Sequence, residues 1–273
     1  MTDPAPGQAT YVTRVEAWEC DFNGHWNARY YGRGFQAALE NIAFRATGGN
    51  PGGAGLSRRL IRFHSELLSA ELAQVVSWQI VSGPYAGAIL HHMTSGGRLA
   101  ATALDVATFP ITGLPQIESL ASALPRTIDF DALPVPLAHS IAVDLEPIRA
   151  GELNPVGVLC FEDIVRRCGV ATHAVLDGLG LNRNLTDRTR VSRMAVEQAV
   201  WRMGDAPAGL PTRVVTALHS LRSKSFSLSH RVEGFDGRPI AHVEGCIVTV
   251  NLDTRRAVDL PAEFRAALAA QAR

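Results

Sequence analysis

Apolar and polar positions alternate through residues 11–18, a stretch rich in β-branched and aromatic side chains, which predicts a strand. A polar loop from Glu19 to Asn27 follows. Beyond it, apolar residues fall at Phe35, Ala38, Leu39, Ile42, Ala43 and Ala46, the one-face spacing of an amphipathic helix. Gly48-Gly49 marks its end. Strand-like runs come next, around 61–67, 75–81, 88–94 and 99–109, with Gly83-Pro84 and Gly96-Gly97 as turn signals.

The second half repeats that order. A strand is predicted over 140–148, then a polar loop over 149–158 carrying Gly151, Pro155 and Gly157. Phe161, Ile164, Val165, Cys168, Ala171 and Val175 mark a second helical face, closed by Gly178. Strand-like runs at 191–200, 213–221, 225–232 and 239–250 follow, with Asp236-Gly237 as a turn. Local echoes accompany the shared order. Gly97-Arg98-Leu99-Ala100-Ala101 matches Gly237-Arg238-Pro239-Ile240-Ala241, and Asp21-Phe22-Asn23-Gly24 is set against Glu152-Leu153-Asn154-Pro155. The pattern reads as an internal repeat. The proline-spaced stretch 112–138 is the expected connector, so units of 1–125 and 126–273 are predicted. A helix followed by antiparallel strands must bury its stripe against one sheet face, which makes the class α+β. Two such units side by side would form an intramolecular pseudo-dimer.

Composition narrows the function. The 273 residues are 47% hydrophobic and 19% charged, ample for buried cores. Basic and acidic residues number 26 each, which argues against a protein that coats nucleic acid or an anionic membrane. Neither a secretory signal nor a membrane span is visible, so a cytoplasmic location and reduced Cys20, Cys160, Cys168 and Cys246 are expected. No metal-ligand spacing is present: His91-His92 would face opposite sides of a strand, and neither metal nor cofactor is expected. Nor is there a GxSxG elbow or other Ser/His/Asp signature. Arg58-Arg59 and Arg222-Ser223-Lys224 are candidate phosphate contacts, although such clusters are ordinarily solvated surface.

The most informative string is Glu19-Cys20-Asp21-Phe22-Asn23-Gly24-His25-Trp26-Asn27-Ala28-Arg29-Tyr30-Tyr31, lying between the first strand and the long helix. It resembles the D-x-N-x-H-x-N-x-x-Y signature of hotdog-fold thioesterases in the acyl-CoA and acyl-carrier-protein branch, with Asp21, Asn23, His25, Asn27 and Tyr30 at the signature positions. The resemblance implies two tandem hotdog units, a thioester hydrolase, and an acyl-CoA or acyl-carrier-protein substrate, in a monomeric pseudo-dimer or a homodimer. The chemistry suits the residues. Thioester hydrolysis needs a carboxylate as base or nucleophile, here Asp21, and donors for the developing oxyanion. The amides near Gly24 and His25 would supply those donors at the helix entry, and glycine permits close backbone approach. Asn23 and Asn27 would orient water or brace the loop, and His25 would polarise the carbonyl or shuttle a proton. Gly24 and Tyr30 are candidate substrate contacts. The plainer role of each residue is capping, turn formation or packing.

The second half departs from the signature, with Val158 and Cys160 where the first has His25 and Asn27. In the family a loop of one unit meets the helix of its partner, so Glu162 and Asp163 are candidates for an auxiliary carboxylate. Acidic residues in a first helical turn also simply complement the helix dipole. A non-catalytic acyl-thioester binder or scaffold, and a hydratase or dehydratase on the same fold, are the competing functions.

Overall fold

The computed structural model describes residues 6–21, 24–49, 55–118, 121–132 and 140–271. The chain divides into two units, Met1–Arg126 and Thr127–Arg273. In the first, β1 (Gln8–Arg14) passes through a 3-10 turn at Ala17–Glu19 and a short loop into α1 (Ala28–Thr47). There follow β2 (Leu56–Phe63), β3 (Leu72–Ile80), β4 (Ile89–Ser95), β5 (Arg98–Ala107) and the two-residue β6 (Gln116–Ile117). The strands lie in the order β1-β3-β4-β5-β2, all antiparallel, with β6 running parallel to the end of β3.

The second unit runs β7 (Ile141–Leu145), a 3-10 turn at Ala150–Glu152, α2 (Phe161–Gly178) and α3 (Arg183–Thr189). Then come β8 (Val191–Arg202), β9 (Thr212–Leu221), β10 (Ser225–Gly234), β11 (Pro239–Asn251), β12 (Arg256–Ala257) and α4 (Ala262–Gln271). Its order, β7-β9-β10-β11-β8, is strand for strand that of the first unit. No helix among the described residues is long and apolar enough to cross a membrane.

The helices form where the spacing predicts and for the reasons it gives. α1 buries Tyr31, Phe35, Ala38, Leu39, Ile42 and Ala43 against the sheet. Asn27 caps its start, and Gly48, at φ 67°, closes its end in the left-handed region. Gly34 lets the sheet come close: a Cβ there would lie 2.8 Å from Met93 Cε. The strand expected over 11–18 stops at Arg14, because the Glu19 amide closes a tight turn on the Glu16 carbonyl at 3.0 Å. β2 begins at Leu56, earlier than the hydrophobic run suggested. Its polar residues are paired into the sheet, Arg59 opposite Asp105.

A polar row crosses the helix-facing side of the first sheet. Thr10 Oγ1 and Ser77 Oγ are 2.7 Å apart, Ser77 Oγ lies 2.7 Å from His91 Nδ1, and His91 Nε2 lies 3.2 Å from Asp105 Oδ2. Arg59 closes the row with two bonds to Asp105, at 2.7 and 2.6 Å, and donates a third to the Gly32 carbonyl of α1 at 3.1 Å. Ser, His and Asp therefore do stand in line, with no signature in the sequence because they sit on three different strands. Ser77, His91 and Asp105 are each 0% exposed, so the line locks strands and helix together out of reach of solvent. Arg59 is likewise no surface phosphate contact, a correction to its reading as one. His92 points the other way, edge-on to Trp78 with ring centroids 5.2 Å apart.

Candidate active site

The loop before α1 is a small closed hairpin. Cys20 bridges Trp26, and the Asp21 amide donates to the His25 carbonyl at 2.8 Å. The Gly24 amide returns to the Asp21 carbonyl at 3.0 Å, with Gly24 at φ 78°, where only glycine sits without strain. The His25 amide donates to Asp21 Oδ1 at 3.1 Å. This corrects one expectation. The amides of Gly24 and His25 are already engaged within the loop, and α1 starts only at Ala28, so they are not unpaired helix-entry donors for an oxyanion. Asn23 lies outside the described residues.

Beneath the loop the buried Glu19 carboxylate gathers it in. Its oxygens accept from Trp26 Nε1 at 2.9 Å and from Arg33 Nη1 at 3.1 Å, and its carbonyl accepts the Asn27 amide at 3.0 Å. Asn27 Oδ1 accepts from the Arg29 amide at 3.1 Å, an N-cap bond. Asn27→Ala should therefore cost about 1 kcal/mol of stability, whereas Asn27→Ser, which caps equally well, should keep both stability and activity. Denaturant melts and turnover of the two variants check this. An Asn27→Ser variant that is fully stable but inactive would give Asn27 a role in the chemistry. Tyr30 stacks on Trp26 and lies under the Arg29 guanidinium, 4.5 Å from the ring centroid.

The residue that completes the site, Glu66, lies just after β2, in the run predicted as strand over 61–67, of which only the part to Phe63 is strand. Glu66 Oε1 is 3.1 Å from His25 Nδ1. Next to it, the Leu67 amide donates to the Tyr31 hydroxyl at 2.9 Å, and burial pushes the ionisation of that hydroxyl up. Asp21 and Glu66 thus both contact His25, the first at its amide and the second at its ring, with Tyr31 tying the second segment to α1. Only the long-range pairing of loop against loop brings Glu66 there, and sequence spacing carries no signal of it.

The second unit holds a twin loop. The Asn154 amide donates to the Val158 carbonyl at 2.9 Å, the Gly157 amide donates to the Asn154 carbonyl at 2.9 Å, and the Val158 amide donates to Asn154 Oδ1 at 2.9 Å. Leu153 bridges Leu159 as Cys20 bridges Trp26, and Gly157 sits at φ 79°. Asn154, not Glu152, is therefore the counterpart of Asp21, a correction to the alignment of the two loops. Glu152 corresponds to Glu19: it is buried, ends the matching 3-10 turn, and its carbonyl accepts the Cys160 amide at 2.9 Å. Burial opposes ionisation of Glu152, but the Arg149 amide and the guanidinium groups of Arg166 and Arg167 hold its carboxyl below the usual range. The twin keeps the geometry and lacks both the carboxylate and the imidazole. Asp163 faces Arg166 at 3.5 Å within α2, and Glu162 is half-buried beside it in the first helical turn. Among the described residues no group of three or more His, Cys, Asp or Glu is placed to hold a metal ion.

Residues 148–268 match the Thioesterase-like superfamily, so the family match falls on the unit with the twin loop rather than the one with Asp21. No curated protein matches the chain. Among solved structures, an acyl-ACP thioesterase from Bacteroides thetaiotaomicron is 13% identical with a TM-score of 0.57, over 87% of this chain and 96% of its own. The 12:0-ACP thioesterase from Umbellularia californica is 11% identical with a TM-score of 0.60, over 88% and 93%. A Lactobacillus plantarum protein, provisionally named an oleoyl thioesterase, is 13% identical with a TM-score of 0.62, over 88% and 96%. At such identities the likeness shows a shared fold: two hotdog units in one chain.

Proposed function

We propose that this chain, a double-hotdog protein whose second unit matches the thioesterase-like superfamily, hydrolyses an acyl-CoA or acyl-carrier-protein thioester at the Asp21 loop of its first unit. The observation that supports this most is the contrast between the twin loops. They share one hydrogen-bonded frame, and where one has Asp21 and His25 the other has Asn154 and Val158. A frame that folds without the carboxylate and imidazole does not need them for folding, which leaves them for chemistry.

In the reaction, water adds to the thioester carbonyl carbon as Asp21 takes its proton. The tetrahedral oxyanion forms next to the N-terminus of α1, whose dipole favours negative charge. It collapses with cleavage of the carbon–sulfur bond, the electron pair leaving on sulfur. His25, as the imidazolium, protonates the thiolate, and both residues then re-equilibrate with solvent. In the alternative course Asp21 attacks the carbonyl itself and water opens the resulting anhydride. Single turnover in ¹⁸O-water tests this course, since label enters Asp21 when water opens the anhydride at the aspartyl carbonyl and never when Asp21 acts only as a base.

Thiol release from short, long and aromatic acyl-CoAs, and then from acyl-carrier-protein esters, is the direct test. Turnover on at least one class is expected. The bond between Asp21 Oδ1 and the His25 amide favours one rival, a non-catalytic acyl-thioester binder in which Asp21 only braces the loop. Ligand binding without thiol release from any ester would establish that rival.

A further inference from the structure

We infer that Glu66 is the positioning residue of His25: its carboxylate holds the Nδ1–H of the imidazole and so directs Nε2 at the substrate's sulfur. The inference rests on the thioesterase reading and concerns a residue to which that reading gives no part.

The carboxylate is delivered by a segment pinned on both sides. The His64 and Ser65 amides donate to the Ala100 carbonyl at 2.8 and 3.1 Å, and Ser65 Oγ donates to the Leu99 carbonyl at 2.7 Å. Arg98 Nη1 donates to the Glu66 carbonyl at 2.6 Å while Arg98 Nη2 is held by Glu71 at 2.8 Å. Beyond it come the Leu67–Tyr31 bond and the Trp26 amide, which donates to the Leu67 carbonyl at 2.8 Å. His25 itself bridges Leu68. Both partners of the 3.1 Å contact are therefore fixed at the backbone, and their side chains are only 14% and 24% exposed. A long side chain swinging on an open surface gains little from such a pair, whereas one pre-placed by its neighbours sets the ring's orientation. The two ring nitrogens of a histidine are distinct, and the partner of one decides which nitrogen carries the reacting proton or lone pair.

The second unit gives a comparison. Met203 and Gly204 donate to the Ile240 carbonyl as His64 and Ser65 do to Ala100, so Asp205 stands where Glu66 does. It has Val158, not histidine, at the His25 position. The carboxylate–imidazole pair accompanies Asp21 and is absent from the loop that has Asn154.

The test is Glu66→Ala, alone and in a His25→Asn background, with Glu66→Gln as the isosteric control. Kcat of Glu66→Ala should fall about 10–100-fold with KM little changed, part of what a positioned acid contributes. Adding Glu66→Ala to His25→Asn should cost nothing further. The ¹⁵N shifts of the His25 ring report without any turnover: the neutral ring should be the Nδ1–H tautomer in the wild type and a mixture in Glu66→Ala. Equal losses in both backgrounds, or an unchanged tautomer, would overturn the assignment. If the wild type releases no thiol from any ester, the thioesterase reading fails, while the tautomer measurement still decides what Glu66 does to His25.

Discussion

Asp21→Asn should lower thiol release by about 10²–10⁴-fold, the range a general base contributes, while shifting stability by less than about 0.5 kcal/mol. The two halves of that expectation come from different parts of the molecule. The loss follows because an amide neither accepts the proton of attacking water nor attacks a carbonyl. The intact fold follows from the second unit, where Asn154 accepts the Val158 amide at 2.9 Å just as Asp21 accepts the His25 amide at 3.1 Å. Asparagine in this frame is already built once in the same chain. Asp21→Ala is the contrasting variant, because it removes brace and base together and leaves the His25 amide unpaired at a cost of about 1 kcal/mol. Kinetics and denaturant melts of both variants therefore separate bracing from chemistry. An Asp21→Asn protein as active as the wild type would reduce Asp21 to a brace and move the search to Glu162 and Asp163.

Much of this arrangement was legible in the sequence. The period change from alternation to one-face spacing marks both long helices, and the turn pairs Gly83-Pro84, Gly96-Gly97 and Asp236-Gly237 fall between successive strands. The Asp21-to-Asn27 loop stood out because so many polar residues crowd between a strand and a helix. What escaped detection had weak local signals. α3 is almost wholly polar and α4 is alanine-rich with only Phe264 and Leu268 deeply buried, so neither has a strong apolar stripe. Glu66 carries no local signal, because nothing in its neighbourhood distinguishes it; its meaning comes from a loop far away in sequence. The two loops were misaligned because Glu152 and Asp21 are both acidic, and residue type suggested a match that the hydrogen bonds refuse. The buried row from Thr10 to Arg59 escaped for a related reason, since its members share a sheet face and no spacing.

That row carries the second large effect: Asp105→Asn should destabilise the protein by about 3–5 kcal/mol. Asp105 and Arg59 are 0% and 1% exposed, and the guanidinium forms two short bonds to the carboxylate. Removing the negative charge leaves a cation with no access to water, which is why breaking such a pair costs far more than the pair contributes. The second unit supplies the control. Its corresponding row holds Gln198 opposite Gly245, with His230 bonded to Thr216 and Thr172 instead, so this fold can be built without the ion pair. Arg59→Gln combined with Asp105→Gly should accordingly cost less than the sum of the two single changes. Acid separates the contributions further. Burial works against the charged form of Asp105, but Arg59 outweighs it and holds the carboxyl below the usual range. A depressed carboxylate contributes stability above its unfolded value of about 4 and loses it as pH falls through the folded one. Burial also pushes His230 down to about 3 and His92 and His242 to about 4. The unfolded chain takes up those protons first, so stability should begin to fall below about pH 6.5. Denaturant midpoints from pH 7.5 to 3.5 should show the histidine slope in wild type and Asp105→Asn alike, with the further loss below about pH 4 steeper in the wild type, since the variant keeps the depressed carboxyls of Glu152 and Glu146 but not that of Asp105. A slope that vanished entirely in the variant would mean that the acid sensitivity lies in the buried row alone, and that the histidines titrate on both sides of the folding transition alike.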